Sequence, residues 1–272
     1  MKNANSPEHP FAKKFLRMGA ASDPQARLFC FPFAGGSAAV FAGWGEKLSP
    51  AIEVWAAQPR GRGMRFSEPP HRSVPEMVQD YLHVLRAHLD LPFAIYGHSL
   101  GGLLALELTR HLWAEGLPLP SHLFIGASAP PAVGLIHPRI AHLPDEGFVT
   151  AVQQRYSGIP ESVLNEPELM EIFLPALKAD FSAYEAFDRA RVIQVPCPIT
   201  AFAGGSDAVI APGMMQEWRR HTEASFDLHI VPGDHFFLAA SGDLVLSAIR
   251  RRMIGILPET PLSFQPLGFV ES

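Results

Sequence analysis

Short apolar runs that read as strands alternate with longer runs of helical period along most of this chain, and no other feature restricts its fold as strongly. Arg27-Leu-Phe-Cys-Phe31 and Ile52-Glu-Val-Trp-Ala-Ala57 are rich in β-branched, aromatic and small apolar residues and are bounded by turn-forming residues. Between them, residues 37–48 place Val40, Phe41, Trp44 and Leu48 three or four apart, the spacing of one helical face. Residues 73–90 repeat the pattern, with Ser73 as N-cap, Pro75 near the first turn, and Met77, Val78, Tyr81, Leu82, Leu85 and Leu89 at helical spacing. Further strands are expected over 93–96, 122–126, 199–203 and 226–231, and further helices over 100–114, 212–220 and 243–254. Such an alternation calls for an α/β fold: a mostly parallel sheet covered by helices on both faces.

One stretch interrupts the rhythm. Residues 130–195 hold no strand pattern but two helical ones, 145–156 and 167–187, the second with Met170, Phe173, Leu174, Leu177, Phe181 and Tyr184 on one side. Placed inside an α/β alternation, this stretch reads as an inserted helical cap. The expected division is an N-terminal segment over 1–26, a single α/β domain over 27–257 and a tail over 258–272, which carries three prolines. Across 272 residues no apolar run is long enough to cross a bilayer, and the first ten residues lack the apolar core of a signal peptide, so a cytoplasmic protein is expected. Two cysteines, Cys30 and Cys197, lie in strand-like runs and are expected to be buried thiols; they cannot build a disulfide framework or a zinc site. A net charge of −5 argues against a nucleic-acid partner, because phosphate binding needs a basic surface.

The chemistry is concentrated in loops that follow strands. Gly97-His-Ser-Leu-Gly101 comes directly after the strand at 93–96 and opens the helix near Leu100. A turn this sharp strains its central residue, needs small residues on either side, and lifts the hydroxyl of Ser99 above the sheet edge beside a helix N-terminus. Ser99 is therefore the candidate nucleophile. A serine needs a base, and the base needs an acceptor that orients it. Among twelve histidines, His235 lies just past the last strand, in a turn announced by Pro232 and Gly233. His221 and His229 fall in a helix end and a strand, which suits a surface or satisfied role, and His98 leaves the elbow in another direction and reads as structural. For the acid, Asp207 occupies the loop after the strand at 199–203. Asp234, beside His235, and Asp180, within the insertion, are the weaker rivals.

Charge that develops on an attacked carbonyl oxygen needs preorganised donors. The N–H of Leu100 is one candidate. The loop Phe31-Pro-Phe-Ala-Gly-Gly-Ser37 supplies the second, from Ala34 with Phe33 as the alternative, since its two glycines let backbone approach a ligand closely. This loop lacks the glycine spacing and the Gly-Lys-Ser/Thr of a phosphate-binding loop.

At this point the chain resembles the stand-alone type II thioesterases of polyketide and non-ribosomal peptide synthesis, within the α/β-hydrolase superfamily. The matching segments are Leu28-Phe-Cys-Phe-Pro-Phe-Ala-Gly-Gly-Ser-Ala38, Gly97-His-Ser-Leu-Gly-Gly102, Leu174-Pro-Ala-Leu-Lys-Ala-Asp180, Gly204-Gly-Ser-Asp207 and Gly233-Asp-His-Phe-Phe237. The resemblance implies an α/β-hydrolase fold with a helical lid between the sixth and seventh strands, and the roles of Ser99, Asp207 and His235 already argued. It further implies an enzyme that hydrolyses misprimed or stalled acyl groups from the phosphopantetheine arm of an acyl or peptidyl carrier protein, with no cofactor of its own and no metal. The protein is expected to act as a monomer. A carboxylesterase or lipase would use the same residues on an oxygen ester, and a non-catalytic binding module could keep the fold alone. Two departures stand out: Phe33 replaces a histidine common in such proteins, and Ala208 replaces a frequent proline, which should loosen the turn of Asp207.

Two expectations concern surroundings. Met170, Phe173, Leu174, Leu177 and Phe181 of the lid, with Phe33, are expected to wall an acyl chamber. Because a carrier protein is generally acidic, as the resemblance implies, a local basic patch should receive it. Arg60, Arg62 and Arg65 are the first candidates, and Lys13, Lys14 and Arg17 the second. The competing reading of the three arginines is that they are solvated loop charges or brace the lid through ion pairs.

Overall fold

The computed structural model describes residues 13–190, 192, 194–255 and 257. Seven strands form one sheet: β1 (Phe15–Arg17), β2 (Ala26–Phe31), β3 (Ile52–Ala57), β4 (Phe93–His98), β5 (His122–Gly126), β6 (Ile199–Gly204) and β7 (Phe226–Val231), in the order β1-β3-β2-β4-β5-β6-β7. All neighbours are parallel except β1, which runs antiparallel to β3 with Phe15 opposite Ala57. Successive strand residues point to opposite faces, and the core divides accordingly. Phe29, Phe31, Phe93, Ile95, Leu123 and Ile125 pack on one side, and Leu28, Cys30, Ala94, Tyr96 and Phe124 on the other.

Helices cover both faces. Among the described residues they include α1 (Trp44–Leu48), α2 (Val74–Leu85), α3 (Leu100–Ala114), α4 (Asp145–Tyr156), α5 (Glu161–Leu164), α6 (Pro167–Ala186), α7 (Pro212–Met215) and α8 (Leu238–Ile254). Met77, Tyr81 and Leu85 of α2 and Leu104 and Leu108 of α3 join the first core layer. Trp44 and Leu48 of α1 and Val245, Ile249 and Met253 of α8 join the second. Ser73 caps α2 through its Oγ, which accepts from Glu76 N–H, and Pro75 stands in the first turn. Both cysteines are free and buried.

Several expected boundaries shift. The helix read over 37–48 is divided into a 3-10 turn at Ala38–Phe41 and α1, because Gly43 between them turns through the left-handed region at φ 77°. The helix read over 212–220 tightens to 3-10 geometry from Gln216, and α8 starts at Leu238 rather than Asp243. The segment 1–26, set apart from the domain, contributes β1 and the first residue of β2 to the sheet. The lid, α4 to α6, lies between the fifth and sixth described strands rather than the sixth and seventh. It has an apolar cluster of its own, with Ile140, Phe148, Val152, Ile159, Leu177 and Phe181. The tail over 258–272 lies outside the described residues. Among the described residues, no helix is long and apolar enough to cross a membrane.

Candidate active site

The carboxyl ends of β2, β4, β6 and β7 meet beneath the lid. Between β4 and α3, Ser99 holds φ 53° and ψ −114°, a conformation that a side-chain-bearing residue adopts only under strong constraint. The constraint is close packing. A Cβ on Gly97 would stand 2.1 Å from the carbonyl oxygen of Gly101, and one on Gly101 would stand 2.2 Å from that of Phe31. Hydrogen bonds from Ser99 N–H to Gly126 O at 2.8 Å and from Gly102 N–H to Ser99 O at 2.9 Å tie the elbow to β5 and to the first turn of α3.

His235 follows β7 and is 4% exposed. Its Nε2 lies 3.1 Å from Ser99 Oγ, and its Nδ1 lies 3.0 Å from Asp207 Oδ2. The other carboxylate oxygen of Asp207 accepts from Val209 N–H at 2.8 Å and Ile210 N–H at 2.9 Å, so only Oδ2 faces the imidazole. Burial pushes the Asp207 carboxyl up, but hydrogen bonding and charge attraction from His235, with the two backbone donors, outweigh it and hold the group below the usual carboxylate range. These bonds also close the turn that Ala208 was expected to loosen. Asp234 is exposed and accepts from Phe236 N–H, and Asp180 bonds elsewhere. Neither carboxylate is hydrogen-bonded to the imidazole of His235.

His98 supports this arrangement from behind. Its Nε2 lies 2.7 Å from the carbonyl oxygen of His235, and its Nδ1 lies 3.0 Å from Tyr96 Oη. A carbonyl can only accept, so Nε2 carries the proton and Nδ1 receives the tyrosine hydroxyl. Complete burial, helped by the neighbouring His235, pulls the pKa of His98 down to about 3, which keeps the ring neutral.

Above the serine is a narrow pocket. Of the residues expected to wall a chamber, Phe33, Leu177 and Phe181 line it. Phe173 lines an adjoining pocket with Gly35 and Phe236, while Met170 and Leu174 pack in the lid's own cluster and not on the chamber. Tyr184, from the apolar side already noted on α6, also lines the chamber, as do Val152, Tyr156 and Phe236, which the sequence reading did not point to. Phe148, Val152 and Tyr156 recur at four-residue intervals along α4, a stripe that could have revealed that face. Tyr156 and Phe236 each set their ring 5.2 Å from the imidazole of His235 and shield it from solvent. Ala34 and Leu100 border the same pocket as Ser99.

Of the arginines expected to form a docking patch, Arg62 and Arg65 turn inward, and Arg60 is ion-paired with about a third of its side chain exposed. Arg65 is 1% exposed and pairs with Asp80 at 2.8 Å and Glu68 at 2.7 Å. Arg62 pairs with Asp180 at 2.7 Å, and Arg60 with Glu68 at 3.2 Å and Asp80 at 3.4 Å. The reason is the demand of the two buried carboxylates, Asp80 and Asp180, for compensating charge. From the second candidate group, Lys14 pairs with Asp80 at 2.8 Å and Arg17 with Glu53 at 2.9 Å. Among the described residues, no group of histidines, cysteines and carboxylates is placed to hold a metal ion.

Fold and site together define the class, a hydrolase of the α/β-hydrolase fold. The residues from 26 to 253 match the family described as "Thioesterase domain", and the chain belongs to that family. It is 35% identical over 229 residues to the gramicidin S biosynthesis protein GrsT of Aneurinibacillus migulanus, covering 84% of this chain and 89% of that protein. Among solved structures, the type II thioesterase BorB from the borrelidin biosynthetic cluster superposes with a TM-score of 0.78 at 29% identity, over 89% of this chain and 97% of that one. RedJ, the thioesterase of the prodiginine pathway in Streptomyces coelicolor, superposes with a TM-score of 0.77 at 32% identity, over 84% of this chain and 86% of that one.

Proposed function

We propose that this protein is a serine hydrolase of the editing, type II kind, which removes aberrant or stalled acyl groups from the phosphopantetheine arm of carrier proteins in polyketide or non-ribosomal peptide synthesis. The observation that carries the chemistry is the relay Ser99 Oγ to His235 Nε2 to Asp207 Oδ2, at 3.1 and 3.0 Å, on the floor of an apolar pocket. The biosynthetic setting is supported by the relatives, whose names place them in gramicidin S, borrelidin and prodiginine synthesis.

Asp207 accepts a hydrogen bond from Nδ1–H of His235, which holds the ring with Nε2 unprotonated and ready to take the proton of Ser99 as Oγ attacks the thioester carbonyl. The N–H groups of Leu100 and Ala34 receive the oxyanion. Collapse of the tetrahedral intermediate breaks the C–S bond, and the imidazolium returns its proton to the departing thiol. Water, activated by the same imidazole, then attacks the acyl-serine and releases the acid. The pantetheine belongs to the substrate, so the reaction requires no cofactor of the protein.

Hydrolysis rates on a panel of acyl-loaded carrier proteins, compared with the same acyl groups on small thiols and alcohols, test the reading. The expected order is carrier thioester above small thioester above oxygen ester. Faster turnover of the oxygen esters would replace the thioesterase reading with an esterase.

A further inference from the structure

The segment Leu174-Pro-Ala-Leu-Lys-Ala-Asp180 has no part in the serine relay. In the structure it lies along α6, over the loop that follows β2. Asp180 is 3% exposed, and its Oδ2 accepts the N–H of Gly35 at 2.8 Å. One guanidinium nitrogen of Arg62 donates to both of its oxygens, at 2.9 and 2.7 Å. Gly36 N–H donates to Phe33 O at 2.9 Å and closes the turn around Ala34. The helix also presses on this turn directly. Gly35 holds φ +80°, and a Cβ there would stand 2.8 Å from Leu177 Cδ1 and 3.0 Å from Phe173 Cζ.

We infer that Asp180 is a positioning residue for the oxyanion donor Ala34, acting from the lid. The inference rests on the serine mechanism proposed above. A peptide group is planar, so an acceptor that holds Gly35 N–H fixes the plane joining Ala34 to Gly35 and restricts the rotation of Ala34 itself. The direction of the Ala34 N–H, one peptide earlier, is thereby set relative to Ser99. The bond is charge-assisted, and Arg62 keeps the carboxylate from being a lone buried charge. Arg62 belongs to the body and Asp180 to the lid, so the same carboxylate that orients the loop also seats α6. A seated lid and an aligned oxyanion donor become one event.

Two changes at position 180 separate this role from simple support. Asp180→Asn keeps an oxygen that can accept from Gly35 N–H and gives up the charge that Arg62 needs, whereas Asp180→Ala gives up both. On a small acyl-cysteamine thioester, assayed well below the melting temperature, Asp180→Ala should lower kcat about thirtyfold, part of the hundredfold or more that deleting an oxyanion donor costs. KM should stay within about threefold, because ground-state binding does not use the oxyanion donors. Asp180→Asn should recover kcat to within about fivefold of wild type while melting as early as the alanine variant. A trifluoromethyl ketone that adds to Ser99 should lose affinity for the alanine variant in proportion to kcat/KM. If Asp180→Ala does not fold, Arg62→Met takes its place: it leaves the carboxylate on Gly35 and must keep kcat within about fivefold despite a lower melting temperature. Wild-type kcat in Asp180→Ala, no recovery in Asp180→Asn, or a collapse of kcat in Arg62→Met would overturn the inference. Ser99→Ala, run in parallel, separates the two levels. Activity that survives it overturns the serine mechanism and this inference together, while an inactive Ser99→Ala beside a fully active Asp180→Ala overturns this inference alone.

Discussion

Replacing Arg65 with methionine should cost stability and leave the choice of substrate alone. The guanidinium is 1% exposed, pairs with Asp80 at 2.8 Å and Glu68 at 2.7 Å, and donates to Gln58 O at 3.2 Å. Burial pushes the Asp80 carboxyl up, but hydrogen bonds from Arg65 and Lys14 more than reverse this and bring its pKa to about 2, below the ordinary 3.8. That difference corresponds to about 2 kcal/mol in favour of the charged form. Removing one partner of a buried pair costs roughly 3–5 kcal/mol, and the low end applies here because Lys14 and Arg60 still face Asp80. For a chain of this length a loss of about 3 kcal/mol lowers the melting temperature by about 6 °C. The pH dependence has a definite sign. Because the folded carboxyl titrates below its unfolded value, its contribution is complete above about pH 4 and is lost as pH falls toward 2. Arg65→Met should therefore flatten the acid limb of the stability curve. Thermal melts from pH 7 to pH 2, together with hydrolysis rates on a carrier-bound thioester and on a cysteamine thioester, provide the check. A variant that melts with wild type yet loses only the carrier reaction would refute the reasoning and restore the arginines to a docking role.

Asp207→Asn should lower kcat by about ten-thousandfold with little change in melting temperature. The amide oxygen can keep the bonds from Val209 and Ile210, but its NH2 then faces Nδ1 of His235 and favours the wrong tautomer. A loss under tenfold in steady-state assays would remove Asp207 from the relay. Leu177→Trp narrows the chamber beside Ser99 and should shift preference toward shorter acyl chains on a graded series of acyl-cysteamines. An unchanged chain-length profile would mean that Leu177 serves the lid alone.

The parts of this molecule that could be read in the sequence are those whose causes are local. Gly97-His-Ser-Leu-Gly101 carries its own explanation, since strand, strained turn and helix follow one another within a dozen residues. Asp207 and His235 could be placed because each follows a strand of clear pattern. The three residues of β1 carry no such pattern: Phe15 to Arg17 become a strand only because the edge of β3 is open to them. The arginine loop failed for the same reason. Whether Arg62 and Arg65 face water depends on Asp180 and Asp80, and the first of these is far away in sequence and arrives with the lid. The chamber wall was half legible, because α6 announced its apolar side, whereas Tyr156 takes its place only through the packing of α4 over His235.

The lid leaves the sheet after β5 and returns at β6, and these strands are adjacent and parallel, with Leu123 opposite Ile199. A parallel pair cannot be joined by a tight hairpin; it needs a crossover of about a dozen residues or more. The excursion over 127–198 is that crossover, lengthened. Its topological duty takes up a small part of its length, and the remainder can vary while the strands that carry serine, aspartate and histidine keep their register. A lineage of such proteins can therefore change the acyl group it accepts by rewriting that one connection, as long as the contact of Asp180 with the loop after β2 is kept.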